Sequence, residues 1–457
     1  MKRTEVIVLA AGKGTRMHSD APKVLQTLGG LSLIDHVLGS VRALQPSRIH
    51  VVYGYGGGAV KDVTEGDDLN WVEQTEQLGT GHAVSQAIPF VDQDSDVLVV
   101  YGDVPLVGAD TMNRLIGASK SRCLALLTAV LPDPVGYGRV VRSSDGNVAE
   151  IVEEVDATDE QKAICEINVG FLSSPAKLLS DWLRRIDDVN SQREHYLTDI
   201  VGLVVADGGC VVACRTADAV EAVGVNSVAE LADAERAFQN RQAYLLMDNG
   251  LTLRDPNRFD LRGSLTFGPG AAIDVNTIIE GRVQLGSRVT IGPNCYVRDC
   301  TIGDDTVVEA NCVLDGATIG LSCMIGPFAR LRPQTELGDG TRVGNFVEIK
   351  KSRIGSGTKA NHLAYLGDAE VGSNVNIGAG VITCNYDGTY KHKTTIENDA
   401  FIGSDTQLIA PVTIGRGATI GAGSTIRRDA PPEKLTLTTE ETKTLGRWRP
   451  SKKSETE

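Results

Sequence analysis

The first half of the chain alternates short apolar runs with amphipathic segments. Five apolar runs predict β-strands, at residues 6–10, 49–53, 97–101, 124–129 and 211–213. Apolar positions at helical spacing predict helices over residues 32–44 and 110–120. Strands that alternate with helices are typical of a mostly parallel sheet flanked by helices, so we predict an α/β fold for this half.

A single longer helix is predicted after this region, over residues 227–248. Ser227 followed by Glu230 forms the sequence of a capping box, and Asn249-Gly250 is a typical stop signal. We interpret this segment as a connecting helix without chemistry of its own.

Beyond residue 261 the pattern changes to one apolar residue, usually aliphatic, at every sixth position, with occasional steps of five. The positions that keep this register are Phe267, Ile273, Ile279, Leu285, Ile291, Val297, Ile302, Val308, Leu314, Ile319, Ile325, Leu331, Leu337, Val343, Ile349, Ile354, Ala360, Leu366, Val371, Ile377, Ile402, Leu408, Ile414, Ile420 and Ile426. A period of six fits a solenoid of triangular coils, in which each flat face points one side chain inward. Because a single coil cannot bury its own core, stacking of coils must supply the stability.

One polar segment, residues 384–400, interrupts this register. It contains no recognised step of six, and it carries Asn385, Tyr386 and Lys391. A loop that leaves a regular solenoid is either decoration or functional, and its position shortly after His362 favours function.

Composition and charge narrow the possible partners. The chain has 457 residues, of which 50 are glycine, and only 5% are aromatic, as expected for narrow coils with little room for rings. Its length predicts two or three domains. The 45 basic residues against 59 acidic ones give a net charge of −14, which argues against nucleic acid or an anionic membrane as the main partner.

The chain also lacks the sequence marks of a membrane or secreted protein. No apolar run approaches the roughly 20 residues that a membrane helix needs. The apolar stretch within residues 1–10 is too short for a signal peptide. Nine cysteines without a Cys-x-x-Cys pair predict neither a disulfide framework nor a zinc ribbon, so we expect a cytoplasmic location.

A glycine-rich turn directly after the first predicted strand is the first candidate for chemistry. Residues 9–17 read LAAGKGTRM, and Pro22-Lys23 follows shortly afterwards. The turn is neither a Walker A loop nor a Gly-x-Gly-x-x-Gly motif, but its backbone N–H groups can face an anion. Arg16 and Lys23 supply the positive charge that a triphosphate and departing pyrophosphate need. The alternative is an ordinary tight turn with basic surface residues.

The string Leu-x-x-Gly-x-Gly-Thr-x-Met-x4-Pro-Lys resembles the signature of sugar-nucleotide pyrophosphorylases. From residue 5 to about 430 the chain resembles the bacterial bifunctional family that joins a UDP-N-acetylglucosamine pyrophosphorylase to a glucosamine-1-phosphate N-acetyltransferase. The resemblance implies a Rossmann-like nucleotidyltransferase domain at residues 1–226, a connecting helix at 227–250, and a hexapeptide-repeat, left-handed parallel β-helix with a C-terminal tail at 251–457.

The same resemblance implies the two reactions. The C-terminal domain would transfer an acetyl group from acetyl-CoA to glucosamine 1-phosphate. The N-terminal domain would then combine N-acetylglucosamine 1-phosphate with UTP, using Mg²⁺, to give UDP-N-acetylglucosamine and pyrophosphate.

In the first domain, the resemblance implies a uracil-reading element around Gln74, a Mg²⁺ site at Asp103 and Asn226, and sugar contacts that include Glu153. Taken singly, Gln74 could be a satisfied loop amide and Asp103 a helix N-cap, and Glu154 could replace Glu153. The implied nucleotide and sugar ligands are Leu9, Ala10, Ala11, Gly12, Lys23, Gln74, Gly79, Thr80, Tyr101, Gly102, Asp103, Gly138, Glu153, Asn168 and Asn226.

The solenoid carries the second candidate site. Residues one coil apart stack on one face, so Arg332 and Lys350 can converge on a sugar phosphate. His362 is suited to remove a proton from an attacking amine, although a lone histidine is usually structural.

The resemblance agrees with these roles and extends them to further residues. It assigns to glucosamine 1-phosphate the residues Arg332, Lys350, Tyr365, Asn376 and Lys391. It assigns to acetyl-CoA the residues Ala379, Asn385, Tyr386, Ser404 and Ala422, with Asn385 and Tyr386 framing the acetyl group.

One departure and two alternatives stay open. Members of the family often carry an Arg near the end of the solenoid that contacts CoA, whereas residues 435–439 read LTLTT, so Lys443 or Arg447 would have to take that role. Such solenoids form homotrimers, which we expect here by resemblance. The alternatives are a single-activity nucleotidylyltransferase with a non-catalytic β-helix for oligomerisation, and a non-enzymatic sensor.

Overall fold

The computed structural model describes residues 3–12, 14–17, 19–54, 56–64, 66–119 and 123–439. It divides into two compact units, Met1–Arg241 and Gln242–Glu457. The division falls inside a long helix, so the domain bounds at residues 226 and 250, with the helix as a separate connector, stay a prediction.

The first unit alternates helices and strands. Its helices, together with the helix at the division, are α1 Leu33–Ala43, α2 Gly57–Val63, α3 Thr80–Ala87, α4 Ala109–Ala118, α5 Asp159–Lys162, α6 Ala176–Leu183, α7 Ile200–Ala206 and α8 Val228–Asp248. Its strands are β1 Thr4–Ala10, β2 Thr27–Leu28, β3 Leu31–Ser32, β4 Arg48–Tyr53, β5 Leu69–Glu73, β6 Asp96–Tyr101, β7 Cys123–Val130, β8 Arg139–Arg142, β9 Val148–Val152, β10 Glu166–Pro175 and β11 Cys210–Arg215.

The main sheet of this unit has the strand order β11, β7, β10, β6, β1, β4 and β5, with β8 joined to β10 and β9 joined to β8. Its pairs are parallel except those of β10 and the β8–β9 hairpin. The predicted mostly parallel α/β fold is therefore confirmed, and each predicted strand lies within an observed one.

Strand β1 is apolar from Val6 to Ala10 because both faces of the sheet are covered. Successive side chains of a strand point to opposite faces. Val6 and Val8 accordingly pack into the core on one face, whereas Ile7 and Leu9 pack into the core on the other. The carboxyl ends of such buried parallel strands are where a ligand crevice is expected.

Helix α8 begins with the predicted capping box. The Oγ of Ser227 accepts a hydrogen bond from Glu230 N at 3.2 Å, and Glu230 Oε2 accepts one from Ser227 N at 2.9 Å. The same carboxylate also accepts from Asn226 N at 2.6 Å. The cap therefore fixes the backbone of Asn226, a predicted metal ligand.

The second unit is built from short parallel strands. In chain order they are β12 Thr252–Leu253, β13 Phe259–Phe267, β14 Ala272–Ile273, β15 Thr277–Leu285, β16 Thr290–Ile291, β17 Tyr296–Arg298, β18 Thr301–Ile302, β19 Val307–Val308, β20 Val313–Asp315, β21 Ala317–Ile319, β22 Met324–Ile325, β23 Arg330–Leu331, β24 Thr335–Leu337, β25 Arg342–Asn345, β26 Glu348–Lys350, β27 Arg353–Ile354, β28 Lys359–His362, β29 Tyr365–Gly367, β30 Ala369–Val371, β31 Asn376–Ile377, β32 Ile382–Cys384, β33 Thr394–Ile396, β34 Phe401–Ile402, β35 Gln407–Ile409, β36 Val412–Ile414, β37 Thr419–Ile420, β38 Thr425–Ile426 and β39 Leu435–Thr436.

These strands form the three faces of a parallel β-helix. One face is a separate sheet, which we call face 1, with strand order β12, β14, β16, β19, β22, β25, β28, β31, β34, β37 and β39. The other two faces share a second sheet, because β13 and β15 are long enough to pass around the first corner. Most stacked partners are 17 or 18 residues apart, as for Tyr296 with Val313 and Met324 with Arg342, and partners on either side of the loop after Cys384 are 25 apart.

The core of the β-helix is the predicted aliphatic register. From Ile273 to Ile426 the predicted positions are at most 5% exposed, and Phe267 packs against the same core while partly exposed. Burial of each side chain contributes about 1.5–3 kcal/mol, so the stacked column supplies most of the stability of this unit. The predicted solenoid is therefore confirmed.

The predicted interruption over residues 384–400 is too long. Strand β33 lies inside it, and Ile396 is 1% exposed and pairs with Val371 and Ile414. The step from Ile396 to Ile402 is six residues, and the polar neighbours of Ile396 concealed it. Only the segment between Cys384 and Thr394 leaves the coils.

No helix among the described residues is both long and apolar enough to cross a membrane.

Candidate functional site

Three predicted ligands of the first unit meet in one cluster. The Nζ atom of Lys23 forms an ion pair with the carboxylate of Asp103 and donates a hydrogen bond to Asn226 Oδ1 at 2.9 Å. The Lys23 and Asp103 side chains are only 12% and 17% exposed. Backbone pairing of Val225 N with Asp103 O at 2.9 Å ties the two loops together. The structure therefore brings the Lys23 ammonium group into contact with two oxygen donors, the Asp103 carboxylate and the Asn226 amide.

The glycine-rich turn lies beside this cluster. Leu9 and Ala10 end strand β1, and Leu9 O accepts a hydrogen bond from Gly102 N at 2.9 Å, so the turn and the Asp103 loop are adjacent. Gly14 has φ +60°, and a Cβ there would lie 2.6 Å from Lys23 Cβ. A side chain at this position would therefore displace Lys23.

Other parts of the turn differ in exposure. Ala11 is buried and its carbonyl accepts a hydrogen bond from Gln77 Nε2 at 3.2 Å, whereas Gly12 and Arg16 are exposed. Met17 is buried in a small core, which explains why a glycine does not occupy that position.

The predicted uracil-reading element is a turn held from several sides. The Nε2 of Gln74 donates to Gly79 O at 3.1 Å, and Gln74 is 4% exposed. Gly79 has φ +107°, and a Cβ there would lie 2.6 Å from His195 O. The Oγ1 of Thr80 accepts from Leu197 N at 3.0 Å. The amide of Gln74 therefore helps to fix the turn.

The predicted sugar contacts surround Tyr101. Gly170 has φ +97°, and a Cβ there would lie 2.8 Å from the Tyr101 ring, while its N–H donates to Asn168 Oδ1 at 3.1 Å. Asn168 N in turn donates to Gly138 O at 2.8 Å. A Cβ on Gly138 would lie 3.3 Å from Glu153 Oε2. The contacts therefore run without a break from Tyr101 to Glu153, and we call these residues the lining around Tyr101.

The two neighbouring glutamates have different environments. Thr198 Oγ1 donates to Glu153 Oε1 at 2.9 Å, and burial raises the pKa of the Glu153 carboxyl. Glu154 instead pairs with the buried Arg139 at 2.7 Å. The side chain of Glu154 is therefore used to neutralise a structural arginine, whereas that of Glu153 is held by a hydroxyl.

Thr198 and its neighbour Asp199 were not singled out from the sequence. They belong to a short 3-10 turn, Leu197–Asp199. Burial, and then the charges of Asp187, Glu153 and Asp156, raise the pKa of Asp199 to about 6. Nothing in the local pattern marks these residues, because their role depends on a contact 45 positions away.

In the second unit, the cationic residues gather on the second sheet. Arg332 N donates to Ile349 O at 2.9 Å, which places Arg332 beside Lys350 on the next coil. The Arg332 guanidinium pairs with Glu348 at 2.8 Å. Lys350 lies close enough to Lys391 to lower the pKa of the Lys391 ammonium, and Asp368 opposes that effect. Two adjacent ammonium groups are an arrangement that an anion would stabilise.

His362 lies on β28 of face 1, in register with Asn345 of β25. Its Nδ1 lies 2.9 Å from Asn345 Oδ1. Because an amide oxygen only accepts, Nδ1 carries the proton and the exposed imidazole keeps a lone pair on Nε2. Asn345 was not predicted, although the separation of one coil could have indicated it.

The loop between β32 and β33 is a small hairpin anchored at its base. Asn385 Nδ2 donates to Asp368 Oδ2 at 2.5 Å, and Tyr386 forms a bridge with Lys391. At the tip, Asp387 accepts from Thr389 N and Tyr390 N at 2.8 and 2.7 Å. His392 and these N–H groups lower the pKa of Asp387 to about 2.

The predicted acetyl-CoA residues form a row on successive coils. A Cβ on Gly378 would lie 2.6 Å from Ser404 N, and one on Gly403 would lie 2.5 Å from Ala422 N. Ala379 O accepts from Asp405 N at 2.7 Å. Asn376 lies on β31 of face 1, next in that sheet to the strand of His362.

The structure does not gather every predicted residue of the second site in one place. His362 and Asn376 lie on face 1, whereas Arg332, Lys350 and Tyr365 lie on the second sheet. Within the part of the chain that the structure describes, no recorded hydrogen bond or ion pair joins the two groups. Lys443 and Arg447, the candidates for the missing CoA arginine, lie outside the described residues.

Comparisons with known proteins cover both units. Residues 6–160 match the model of the MobA-like NTP transferase domain, residues 261–354 that of the GMPPB C-terminal domain, and residues 393–428 that of the bacterial transferase hexapeptide with six repeats. The hexapeptide match agrees with the predicted left-handed parallel β-helix. A curated relative from Alkalilimnicola ehrlichii, "Bifunctional protein GlmU", is 54% identical over 444 residues, which are 97% of this chain and 96% of the relative.

Two solved structures resemble part of the chain. A nucleotidyl transferase from Methanothermobacter thermautotroptrophicus is 18% identical with a TM-score of 0.39, and covers 52% of this chain and 97% of its own. A protein from Bacillus anthracis named as a glucose-1-phosphate thymidylyltransferase is 19% identical with a TM-score of 0.41, and covers 51% of this chain and 94% of its own. These two likenesses are too weak to add to the comparison above.

Proposed function

The chain belongs to the family of the bifunctional GlmU proteins, and from that premise we propose which of its residues perform the two reactions. The family predicted from the sequence is confirmed. The chain is a bifunctional enzyme, with a uridylyltransferase domain followed by a hexapeptide-repeat acetyltransferase domain. The alternatives of a non-catalytic β-helix and of a sensor without activity are therefore set aside.

For uridylyl transfer, the cluster of Lys23, Asp103 and Asn226 supports the proposal. The oxygens of Asp103 and Asn226 converge on the positive charge of Lys23, so this pair is suited to hold a cation. One carboxylate, one amide oxygen and phosphate oxygens fit Mg²⁺, which keeps several of its own waters. When bound, Mg²⁺ would neutralise the charge of the triphosphate.

In this scheme Lys23 leaves Asp103 and binds the phosphates, with Arg16 at the exposed end of the turn. A phosphate oxygen of N-acetylglucosamine 1-phosphate attacks the α-phosphorus of UTP in line. The bond to the β-phosphate breaks, and pyrophosphate leaves. The chain supplies positioning and charge and no covalent nucleophile.

The lining around Tyr101 supports recognition of the sugar nucleotide. We assign the uracil to the turn of Gln74, Gly79 and Thr80, because the hydrogen bond from Gln74 Nε2 to Gly79 O and the close packing of Gly79 on His195 hold this turn in one conformation. We assign the sugar to Gly138, Glu153 and Asn168. Glu153 is preferred over Glu154 because the Glu154 carboxylate already neutralises Arg139.

For acetyl transfer, the single observation that carries the proposal is the hydrogen bond of His362 Nδ1 to Asn345. It leaves Nε2 free to accept the proton of the glucosamine 1-phosphate amine as that nitrogen attacks the thioester carbon. The carbon–sulfur bond breaks, and CoA leaves. A backbone N–H stabilises the oxyanion.

The other residues that we assign to acetyl transfer belong to the two groups of predicted residues described above. We assign the sugar phosphate to Arg332 and Lys350, which are neighbours on adjacent coils, and to Lys391, whose ammonium group reaches Lys350 from the loop between β32 and β33. Tyr365 and Asn376 complete the sugar contacts, and Asn385 and Tyr386 frame the acetyl group. The CoA chain is assigned to the row that contains Ala379, Ser404 and Ala422.

The separation of these two groups supports a site that a neighbouring copy of the chain completes. Beside Asn345 and His362, the corner residues Phe328, Phe346 and Leu363 stack while 49%, 57% and 61% exposed, and the two phenyl rings lie 5.3 Å apart. An exposed apolar stack of this kind favours association. We propose a homotrimer, as the resemblance implies, in the cytoplasm.

Product mass tests the whole scheme. The full chain is incubated with glucosamine 1-phosphate, acetyl-CoA, UTP and Mg²⁺, beside the His362→Ala variant. We expect UDP-N-acetylglucosamine from the wild type, its loss in the variant, and its recovery when N-acetylglucosamine 1-phosphate is supplied. A variant that still acetylates at the wild-type rate would overturn the role of His362.

A further inference from the structure

Two cysteines face each other at the edge of the first sheet. Cys123 is the first residue of β7 and Cys210 the first residue of β11, and they are direct partners in the parallel register. Cys210 is exposed and Cys123 is partly exposed. The Cys210 side chain lies close enough to that of Cys123 to raise the pKa of the Cys123 thiol. This accessible dithiol has no part in either reaction.

The backbone geometry of this pair suits a disulfide. Neighbouring strands lie about 4.8 Å apart, which is within the range of Cα distances that a disulfide spans. Direct partners in a parallel register point their side chains to the same face of the sheet. The register therefore places the two sulfurs side by side, and a disulfide requires only a small local approach of the two side chains.

The two thiols have different chemical environments. The side chain of Cys210, and then burial, raise the pKa of the Cys123 thiol to about 11. Cys123 therefore keeps its proton and can direct it to the neighbouring sulfur. Cys210, which is exposed, is the sulfur that an oxidant in solution meets first.

We propose that Cys123 and Cys210 form a modification site, at which a hydroperoxide converts the dithiol into a reversible intramolecular disulfide. The Cys210 thiolate attacks one peroxide oxygen, the oxygen–oxygen bond breaks, and Cys210 becomes a sulfenic acid with release of water or an alcohol. The Cys123 sulfur then attacks the Cys210 sulfur, and the sulfenic oxygen leaves as a second water. The peroxide is reduced by two electrons, and the two thiols are oxidised by two.

The position of the pair predicts what the bond changes. Strands β6 and β7 both run antiparallel to β10, so the first residue of β7 lies at the opposite end of the sheet from Asp103, which follows β6. The bond would join edge strand β11 to β7 without touching the nucleotide cluster. We expect uridylyl transfer to persist after oxidation, while the thermal unfolding temperature of this unit rises.

The chain contains two matched internal controls. Cys295 and Cys312 lie one coil apart in the β-helix, directly before the register partners Tyr296 and Val313, but both cysteines are buried. Cys165 is exposed, and its backbone pairs with Leu131 rather than with a cysteine. One control is paired but inaccessible, and the other is accessible but unpaired.

The experiment treats the reduced, full-length protein with hydrogen peroxide, then alkylates the free thiols and measures intact mass and linked peptides. We expect a loss of about 2 Da before alkylation, two fewer alkylated thiols, and a peptide linking Cys123 to Cys210, all reversed by dithiothreitol. Cys295 and Cys312 should remain reduced. The Cys123→Ser variant should instead stop at an oxygen adduct on Cys210.

Two results would overturn the proposal. One is oxidation of Cys210 beyond sulfenic acid in the wild type, without a link to Cys123. The other is modification of Cys165 at a similar peroxide dose while Cys123 and Cys210 stay reduced. The Cys210→Ala variant should not form the disulfide. Its uridylyl transfer, measured without peroxide, shows that this variant is folded.

Discussion

The two candidate sites of this chain are assembled in opposite ways. In the first unit, Lys23, Asp103 and Asn226 contact one another, and the Lys23 and Asp103 side chains are mostly buried. In the β-helix, His362 is exposed and contacts Asn345, while the cationic residues lie on another sheet. The edge of a buried sheet therefore gathers a site within one chain, whereas the flat faces of a solenoid display residues that, in the proposed trimer, a neighbouring copy completes.

This difference predicts different sensitivities to substitution. A partly buried charge that loses its partner keeps its desolvation cost, because water cannot fully replace the lost contact. Substitution of a solvated residue such as His362 costs the protein little stability. The loss of its side chain mainly affects the reaction. Substitutions in the first site should therefore disturb both folding and activity, and substitutions in the second site mainly activity.

The largest effect is expected for Asp103→Ala. Removal of this carboxylate leaves Lys23 without its ion-pair partner and removes one proposed Mg²⁺ ligand. We expect uridylyl transfer to fall by about a thousandfold or more, because charge neutralisation of the phosphates is the main contribution that the protein makes. The rate of pyrophosphate release, followed at a series of Mg²⁺ concentrations, measures this fall in uridylyl transfer.

Acetyl transfer by the Asp103→Ala protein is the matched control, and it should stay at the wild-type rate. If both activities fall together while circular dichroism shows that the protein remains folded, the proposed difference between the two sites is wrong.

The next effect is expected for Asn345→Leu, which removes the acceptor that orients His362. The imidazole can then rotate and change tautomer, so we expect kcat for acetyl transfer to fall by about tenfold, less than for loss of the base itself. The KM for glucosamine 1-phosphate should change little. The pH dependence of kcat should also shift, which a merely structural role would not cause.

Asn345→Asp tests the same contact, because a carboxylate can accept the Nδ1 proton. Recovery of most of the rate in this variant supports the positioning role. If Asn345→Leu keeps the wild-type rate and pH profile, Asn345 does not position the base.

A smaller effect concerns stability and pH in the first unit. The pKa of Asp199 is raised from 3.8 to about 6, so the folded protein holds this proton more tightly than the unfolded chain. Its contribution to stability is therefore fully present below about pH 4 and is lost as the pH rises to about 6. We expect Asp199→Asn to raise the unfolding temperature by a few degrees at pH 7.5 and to have no stabilising effect near pH 4.

Asp94→Asn changes an exposed carboxylate in the same unit and should show no such pH-dependent gain. Equal unfolding temperatures of wild type and Asp199→Asn at every pH would contradict the prediction.

The smallest effect is expected for Thr439→Arg. Thr439 is exposed and follows Thr438, whose Oγ1 accepts from Thr425 N at 3.0 Å, so this end of the chain is held against the last coil. An arginine there would restore the charge that relatives often place near CoA. We expect the KM for acetyl-CoA to fall several-fold, with Thr439→Gln as the uncharged control, and an unchanged KM would show that CoA does not reach this position.

The sequence predicted the β-helix more completely than the first unit, because its period is local and repeats over many coils. The predicted sheet lacked β10, since Asn168 and Gly170 interrupt its apolar pattern at a register shift and a positive φ. Asn168 is one of the proposed sugar contacts, so the local irregularity lies at a predicted contact.

The contacts within the sites could be predicted only in part. Lys23 lies 80 residues from Asp103 and 203 from Asn226, so their meeting depends on the folded sheet. The family resemblance implied that all three are ligands without showing that they touch. The pairing of His362 with Asn345, by contrast, follows from a separation of 17 residues, which is one coil.

The regular stacking of coils also limits how the second site can change during evolution. Adjacent rungs are about 4.8 Å apart, and a side chain sits on one rung or the next, never between them. Arg332, Lys350 and Gly367 occupy successive rungs of the same ladder. The backbone positions that carry these charges therefore cannot drift gradually along the axis. A substitution moves such an anchor by a whole rung, and smaller adjustments are left to the side-chain rotamers and to the loop that carries Lys391.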